Sequence, residues 1–246
     1  MGCTVGVVHI PGGMLFFKNR DLSPHYLVNR ITVFQSTPEF HALRGVNLKT
    51  GDLEGVSIGV NRRGICVANT HIVSTPDVTY DLLCERLVRE VQQRQDVPRI
   101  VEGFVAHNAV QGGRILVCSP AWTLLIEVLK EQFVIEEIPG NVAITNDFAL
   151  IRYGDPARAE MHAQSSASRL EVANRMVGSL ASARGLKAML RSHVPEKSHL
   201  SICSHWPDGG GTESSHIIQV QEHFVAWSWL TGHPCEDDYH TVQLFD

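Results

Sequence analysis

Residues 2–21 read GCTVGVVHIPGGMLFFKNRD, two apolar runs separated by a proline and two glycines. Apolar runs on either side of a Pro-Gly turn are typical of a β-hairpin, and we predict its strands over residues 3–10 and 14–19. The hairpin folds its polar end, KNRD at 18–21, back towards the start of the first strand. Charged side chains are therefore expected near Cys3.

The remaining sequence alternates between strand-like and helical patterns. It predicts strands at 30–34, 55–60, 64–70, 114–118, 123–129, 199–203, 215–220 and 223–229. It predicts helices at 80–95, where Thr79 is the N-cap, at 97–106, and between 157 and 192, where Gly185 breaks the helix. This order indicates an α+β protein with two largely antiparallel sheets covered by helices.

The charge, the apolar runs and the cysteines of the sequence limit the partners and the location that we expect for this chain. The chain has 246 residues, and its 21 Lys and Arg residues are spread along a sequence of net charge −5, so we expect neither a nucleic-acid nor a membrane partner. It lacks a signal-peptide pattern and an apolar run long enough to span a membrane, and its six cysteines lie mostly in apolar runs. We expect a single cytoplasmic domain, 1–246, that acts on small molecules; a homo-oligomer is left open.

The triplet Gly2-Cys3-Thr4 can carry chemistry. If Met1 and Gly2 are removed, Cys3 gains a free α-amine beside its thiol, and an amine of pKa near 7.7–8.0 can accept the thiol proton near neutral pH. The Cys3 thiol could itself release Gly2 by attacking the Gly2 carbonyl. The alternative is that Cys3 is an ordinary edge-strand residue.

The opening segment resembles the mature subunit of isopenicillin-N acyltransferase, in which a Gly-Cys-Thr junction is cut autocatalytically. It is similar, more distantly, to choloylglycine hydrolases, which share the cysteine and an Arg-Asn-x-Asp run. Short islands continue the likeness in order: GVNRRGICVAN at 59–69, AITND at 143–147, SICSH at 201–205, and TESSHIIQV and GHPCEDDY near the end. The resemblance implies an N-terminal-nucleophile (Ntn) hydrolase, an αββα four-layer sandwich of two mostly antiparallel sheets.

The resemblance also implies roles for particular residues. Cys3 resembles the nucleophile, and Asp21 the residue that holds its α-amine. Asn146 resembles the oxyanion-hole amide, and the backbone N–H near Asn69 or Thr70 resembles the second oxyanion donor.

Four residues, Lys18, Thr70, Ser204 and His205, are candidates for substrate binding. Lys18 resembles the active-site arginine of the family loosely, because an ammonium cannot bind a carboxylate in bidentate fashion. Many relatives carry an arginine directly after Ser-Ile-Cys, where this chain has Ser204 followed by His205. The resemblance therefore supplies no arginine at this position, and His205 is a candidate substitute.

The sequence thus favours a cofactor-free cysteine hydrolase that cleaves a linear amide, or passes its acyl group to an amine, through a Cys3 thioester. Its substrate would be a small-molecule amide or acyl thioester. The alternative is a non-enzymatic ligand-binding or trafficking protein with the same fold, like the NRDE-motif group. Zinc is not expected at His193, His199, Cys203 and His205, because their spacing matches no Cys-x-x-Cys or HExxH motif.

Overall fold

The computed structural model describes residues 2–28, 30–153 and 160–245. That part of the chain forms mostly strands, with a few helices between them. The strands are β1 (Cys3–Ile10), β2 (Gly13–Leu22), β3 (Arg30–Ser36), β4 (Phe40–Asn47), β5 (Leu53–Asn61), β6 (Cys66–Val73), β7 (Val110–Ser119), β8 (Trp122–Lys130), β9 (Gln132–Glu137), β10 (Val142–Ile144), β11 (Gly211–Gln221), β12 (Phe224–Thr231) and β13 (His240–Leu244). The helices are α1 (Pro24–Leu27), α2 (Tyr80–Glu90), α3 (Asp96–Val105), α4 (Glu160–Val177) and α5 (Ala183–Leu190).

The contacts group these elements into two compact units. The first unit contains a sheet of order β10-β1-β2-β11-β12-β13 together with α1, α4 and α5. The second contains a sheet of order β3-β4-β5-β6-β7-β8-β9 together with α2 and α3. Neighbouring strands in both sheets are antiparallel, so the α+β prediction is confirmed. The prediction of a single domain stays a prediction.

The opening hairpin is confirmed, and its second strand is longer than predicted. Ile10 pairs with Gly13, which leaves Pro11 and Gly12 as the turn. Gly12 has a φ of 74°, and a proline followed by a glycine of positive φ is the pattern of a type II turn. From this turn the register runs to a pair between Cys3 and Arg20. The polar run at 18–21 is therefore part of a buried strand and not of a solvated turn.

Helices α4 and α5 pack on one face of the first sheet. Their apolar residues, together with those of the hairpin, form one core: Val8, Leu15, Phe17, Ala143, Val172, Ala173, Val177, Leu186, Met189, Leu190, Ile202 and Ile217. The predicted helix break at Gly185 is wrong, because Ser182 caps α5 by accepting the Gly185 N–H, which places Gly185 inside the helix. Residues 157–159 of the predicted helix lie outside the described part of the chain.

The strand predicted at 199–203 is also wrong. This segment forms turns and bends, and the Ser201 hydroxyl donates to the carbonyl oxygens of Ser198 and Cys203 at 2.8 and 2.6 Å. Hydrogen bonds from a serine hydroxyl to nearby backbone carbonyls compete with the backbone hydrogen bonds that a β-strand needs. The sequence prediction also missed β4, β9, β10 and β13.

The second unit buries its core between the sheet and helices α2 and α3. Thr79 caps α2 by accepting the Asp81 N–H, as predicted, but the helix ends at Glu90, five residues before the predicted end. Leu83, Leu87 and Val88 on its buried side belong to the core. Among the residues described here, no helix is long and apolar enough to cross a membrane.

Candidate active site

The peptide bond between Gly2 and Cys3 is held at both of its polar atoms. The Gly2 carbonyl oxygen accepts the backbone N–H of Asp21 at 2.9 Å. The Cys3 N–H donates to Asn146 Oδ1 at 2.8 Å, from a loop that directly follows β10. The bond to the Gly2 carbonyl comes from the pairing of β1 with β2. The bond to the Cys3 nitrogen forms because the short strand β10 pairs with β1 and places Asn146 beside it.

Alternation along the hairpin separates the groups near this bond onto two faces. Cys3 pairs with Arg20, and Val5 pairs with Lys18, so these four side chains share one face of the sheet. Gly2 and Asp21 occupy the opposite face. The Cys3 thiol and the Asp21 carboxylate are thus on different sides of β1 and β2. The Cys3 nitrogen belongs to the backbone of β1, between these two faces.

Arg169 of α4 contacts most of the groups around the Gly2–Cys3 bond, and the sequence analysis missed it. Its Nη1 donates to the Cys3 carbonyl at 2.8 Å and to Thr4 Oγ1 at 3.1 Å. Its Nη2 donates to Asn146 Oδ1 at 3.1 Å, and Nη1 lies 3.9 Å from Asp21 Oδ2. The side chain is 1% exposed. The buried guanidinium of Arg169 thus connects β1, β2 and the loop that carries Asn146.

The sequence did contain a signal for Arg169. The buried side of α4 includes Ser165, Ser166, Arg169, Val172 and Ala173, which recur at helical spacing. A charged residue on the inward stripe of a helix is rarely buried without a partner.

Gly2 fits this site because it has no side chain. A Cβ at this position would lie 2.3 Å from Arg169 Nη2 and 3.2 Å from Asn146 Oδ1. Both neighbouring groups are fixed by hydrogen bonds, so neither can move away without loss. The space beside the Gly2 carbonyl is therefore just large enough for glycine.

Asp21 is a buried carboxyl group with an unusual environment. Its Oδ1 accepts the Thr212 hydroxyl at 2.8 Å, and its Oδ2 has no hydrogen-bond donor among the described residues. Burial raises the pKa of Asp21 to about 6, although the Arg169 charge and the Thr212 hydrogen bond act in the opposite direction. The carboxyl group can therefore gain and lose a proton near neutral pH.

Asn146 is anchored from helix α4. Its backbone N–H donates to Ser166 Oγ at 3.0 Å, and the neighbouring Thr145 hydroxyl donates to the Ser166 carbonyl at 3.1 Å. Its side-chain oxygen faces the Cys3 nitrogen and Arg169. The predicted oxyanion role needs the other end of the amide, Nδ2, and stays a prediction.

Lys18 and His216 lie side by side on the face that carries Cys3. They pair across β2 and β11, and each is at most 2% exposed. His216 Nδ1 accepts the Trp227 Nε1–H at 3.3 Å. Burial and the charges of Arg20 and Lys18 lower the pKa of His216 to about 3. The neutral ring therefore carries its proton on Nε2, which has no partner among the described residues.

Ser204 and His205 are placed differently from one another. The Ser204 N–H donates to Thr212 Oγ1 at 2.9 Å, and that same hydroxyl donates to Asp21, so Ser204 connects to Asp21 through one residue. His205 Nε2 instead lies 3.5 Å from Cys203 Sγ, and burial chiefly lowers the pKa of His205 to about 4. The predicted substrate-binding roles of Ser204 and His205 stay predictions.

Asn69 and Thr70 belong to β6 of the second unit. The Asn69 side-chain amide donates to Asp81 Oδ1 at 2.7 Å and to the Val56 carbonyl at 2.9 Å. It therefore helps to hold α2 on its own sheet. The predicted oxyanion role of the backbone N–H at Asn69 or Thr70 stays a prediction.

A cavity of about 400 Å³ opens beside Asp21 in the first unit. Its other walls are Leu22, Ser23, Met161, His162, Trp206, Pro207, Asp208 and Gly210. The Trp206 ring packs between two imidazoles, with ring centroids 4.7 Å from His162 and 5.1 Å from His199. The volume is in the range of small-molecule sites.

Comparison with known proteins identifies the fold. The sequence matches no protein-family model and no curated protein. A mutant conjugated bile acid hydrolase from Clostridium perfringens is similar in structure, with a TM-score of 0.59 and 10% identity over 99% of this chain and 92% of that one. A Caenorhabditis elegans N-acylethanolamine-hydrolyzing acid amidase ortholog gives a TM-score of 0.52 and 11% identity over 98% of this chain and 99% of that one. Both likenesses concern the fold, and the predicted Ntn-hydrolase fold is confirmed. The likeness to isopenicillin-N acyltransferase stays a prediction.

Proposed function

From the Ntn-hydrolase fold, we propose that this protein cleaves a linear amide, or transfers its acyl group to an amine, with the Cys3 thiol as nucleophile. One observation carries the proposal: the Gly2–Cys3 bond lies with its carbonyl on the Asp21 N–H and its nitrogen on Asn146. Of the two similar structures, one is of a protein named as a hydrolase and the other of a protein named as an acid amidase. An N-terminal nucleophile requires that this bond be cut.

The first step of the proposal is cleavage of the Gly2–Cys3 bond by the chain itself. The Cys3 thiolate attacks the Gly2 carbonyl carbon, and the Asp21 N–H stabilises the negative charge that develops on the oxygen. The C–N bond then breaks, the Cys3 nitrogen takes up a proton, and a thioester joins Gly2 to sulfur. Water hydrolyses this thioester and releases the residues before Cys3. The Asp21 carboxyl, with a pKa of about 6, is suited to proton exchange on the Gly2 side.

The second step uses the new α-amine of Cys3. It would remain on Asn146 Oδ1, the oxygen that also accepts from Arg169. The positive charge of Arg169 disfavours the ammonium form and so favours a neutral amine that can accept the thiol proton, whereas Asp21 acts in the opposite direction. Balanced in this way, the amine can serve first as base and then, once protonated, as the acid that protonates the leaving amine.

Turnover then follows the same pattern with substrate in place of Gly2. The thiolate attacks the substrate carbonyl, the leaving amine departs with a proton, and the acyl group stays on Cys3 as a thioester. Water or an acceptor amine resolves the thioester.

Intact-mass measurement tests the processing step. The wild-type chain should begin at Cys3, and Cys3→Ala should retain Gly2. Cys118→Ala is the matched control, because Cys118 is buried in the second sheet and should leave processing unchanged. A wild-type chain that keeps Gly2 under all conditions would contradict the proposal and favour the non-enzymatic alternative.

A substrate screen tests the catalytic step. The processed protein is incubated with N-acyl amino acids, amino-acid amides and acyl thioesters, and the acyl group is located by peptide mass spectrometry. We expect acylation at Cys3. Faster discharge to added amines than to water would assign a transferase, and the reverse a hydrolase. Absence of acylation at Cys3 by every donor in the screen would count against both.

A further inference from the structure

Four side chains outside the proposed active site bring their possible metal-binding atoms close together. They are His193, Cys203, His205 and Cys235, and one donor atom from each lies within 4.8 Å of all the others. His205 Nε2 is 3.2 Å from His193 Nε2, 3.5 Å from Cys203 Sγ and 3.6 Å from Cys235 Sγ. All four belong to the first unit. The sequence analysis set zinc aside because of the spacing of the residues and did not consider Cys235.

These separations match those between the ligands of a tetrahedral zinc ion. With Zn–N of about 2.05 Å and Zn–S of about 2.3 Å, tetrahedral angles place two nitrogens about 3.3 Å apart and a nitrogen and a sulfur about 3.6 Å apart. The observed 3.2 Å and 3.5–3.6 Å agree closely with these values. Two thiols and two imidazoles are also the donor set that selects zinc among the common divalent metals.

Contacts of the surrounding chain hold these donors in place. The Cys203 N–H donates to the Ser192 carbonyl at 3.1 Å, which places Cys203 beside His193. His205 forms a bridge with Gly211 at the start of β11, and its ring stacks on His233 with centroids 4.0 Å apart. Cys235 lies in a turn closed by a bond from the Glu236 N–H to the His233 carbonyl at 3.0 Å. The site is thus built from two separate segments of the chain.

We propose that His193, Cys203, His205 and Cys235 bind one Zn²⁺ ion in a closed tetrahedral site. Binding would release the two thiol protons to solvent, so that two thiolates balance the charge of the ion. Four protein ligands leave no open position, and the role of the ion is therefore structural. Zn²⁺ would join the segment that carries Cys203 and His205 to the turn at Cys235.

The position of the site gives the ion a second consequence. Ser204 lies between two of the ligands and connects through the Thr212 hydroxyl to Asp21. Fixing Cys203 and His205 would therefore also fix the hydrogen bond that Asp21 Oδ1 receives. The ion would act on the proposed active site as a positioning device and would not contact substrate.

Metal analysis tests the proposal. The full chain is purified without chelators and without a histidine tag, and zinc is measured by mass spectrometry of the elements. We expect about one zinc per chain in the wild type and a loss of about tenfold or more in Cys235→Ser. Cys66→Ala, a buried cysteine of the second sheet, is the matched control and should retain the ion.

Cobalt provides a readout that does not depend on how much zinc survives purification. Refolded or metal-exchanged protein should show the visible bands of tetrahedral Co²⁺ and a thiolate-to-cobalt charge-transfer band, and Cys235→Ser should lack the latter. Circular dichroism of Cys235→Ser checks that it folds; if it does not, His193→Gln replaces it, with the same expected loss of metal. A wild-type chain with neither zinc nor a cobalt spectrum, or with a Cys203–Cys235 disulfide when purified from reducing conditions, would overturn the proposal.

The same measurements on Cys3→Ala separate this inference from the proposed function. The unprocessed variant should bind as much zinc as the wild type. Zinc in Cys3→Ala without any processing or acylation in the wild type would leave the metal site established and the enzyme proposal refuted.

Discussion

Replacing Arg169 by methionine should be among the most destabilising single changes in the first unit. Methionine keeps much of the side-chain length and removes the charge. It leaves the Cys3 carbonyl, Asn146 Oδ1 and Asp21 without the guanidinium, in a site where Arg169 and Asp21 are each 1% exposed. The experiment belongs in the Cys3→Ala background, where Gly2 stays in place and the bonds described above persist.

The size of the effect follows from the buried charges. Removing one partner of a buried ion pair costs about 3–5 kcal/mol, because the other charge remains without compensation. We therefore expect the free energy of unfolding at pH 7 to fall by about 3–5 kcal/mol. If Asp21→Asn is made first, no carboxylate remains, and the cost of Arg169→Met should fall by at least about 1 kcal/mol.

Urea denaturation of the four proteins of this double-mutant cycle measures both quantities. Arg175→Met is the control: it lies on the same helix, its side chain is 63% exposed, and it pairs only with Glu171 four residues earlier among the partners described. Its cost should stay below about 0.5 kcal/mol. A cost for Arg169→Met below about 1 kcal/mol, close to that of the control, would refute the view that this guanidinium holds the site together.

Three further predictions follow from the site and the metal cluster. Folding raises the pKa of Asp21 from 3.8 to about 6, so the folded protein binds the Asp21 proton more tightly than the unfolded chain does. Proton binding by Asp21 therefore stabilises the fold fully below pH 3.8, and this stabilisation is lost as the pH rises through 6. In Cys3→Ala the loss between pH 5 and pH 7 should be about 1 kcal/mol, and urea titrations of Asp21→Asn should lack it. Gly2→Val should displace Arg169 and so slow processing at least about tenfold. Intact-mass measurement would show this as a larger fraction of chains that retain Val at position 2. Equal processing rates for Gly and Val would contradict the conclusion that this site has room only for glycine. A zinc chelator should lower the melting temperature of the wild type but not of Cys235→Ser, measured by calorimetry; no difference between them would argue against the ion.

The hairpin and the positions of Asp21 and Asn146 were accessible from sequence for physical reasons. A two-residue Pro-Gly turn fixes the register of a hairpin, and register alone brings Asp21 opposite Gly2. The motif AITND then identified Asn146. Such features depend on local geometry or on a recognisable run of residues.

The features that the sequence analysis missed depend on distant contacts. Arg169 is 166 residues from Cys3, and Cys235 is 30 residues from His205. Arg169 forms no motif with its sequence neighbours, and the segment GHPCEDDY around Cys235 does not by itself indicate a metal ligand. The missed strands β4 and β13 have the same cause, because they are defined by pairing with strands already in the sheet, and the exposed residues of β13 show no clear alternation.

The glycine-sized space beside the Cys3 nitrogen has a practical consequence for anyone who produces this protein. If the chain cuts itself before Cys3, an affinity tag or fusion partner placed at the amino end will be lost as the protein matures, and the fraction that remains on a column will be the fraction that failed to mature. A tag at the carboxyl end would recover both forms. The amount of protein recovered through an amino-terminal tag, divided by the amount recovered through a carboxyl-terminal tag, would then give the fraction that has not matured. This measurement needs no substrate.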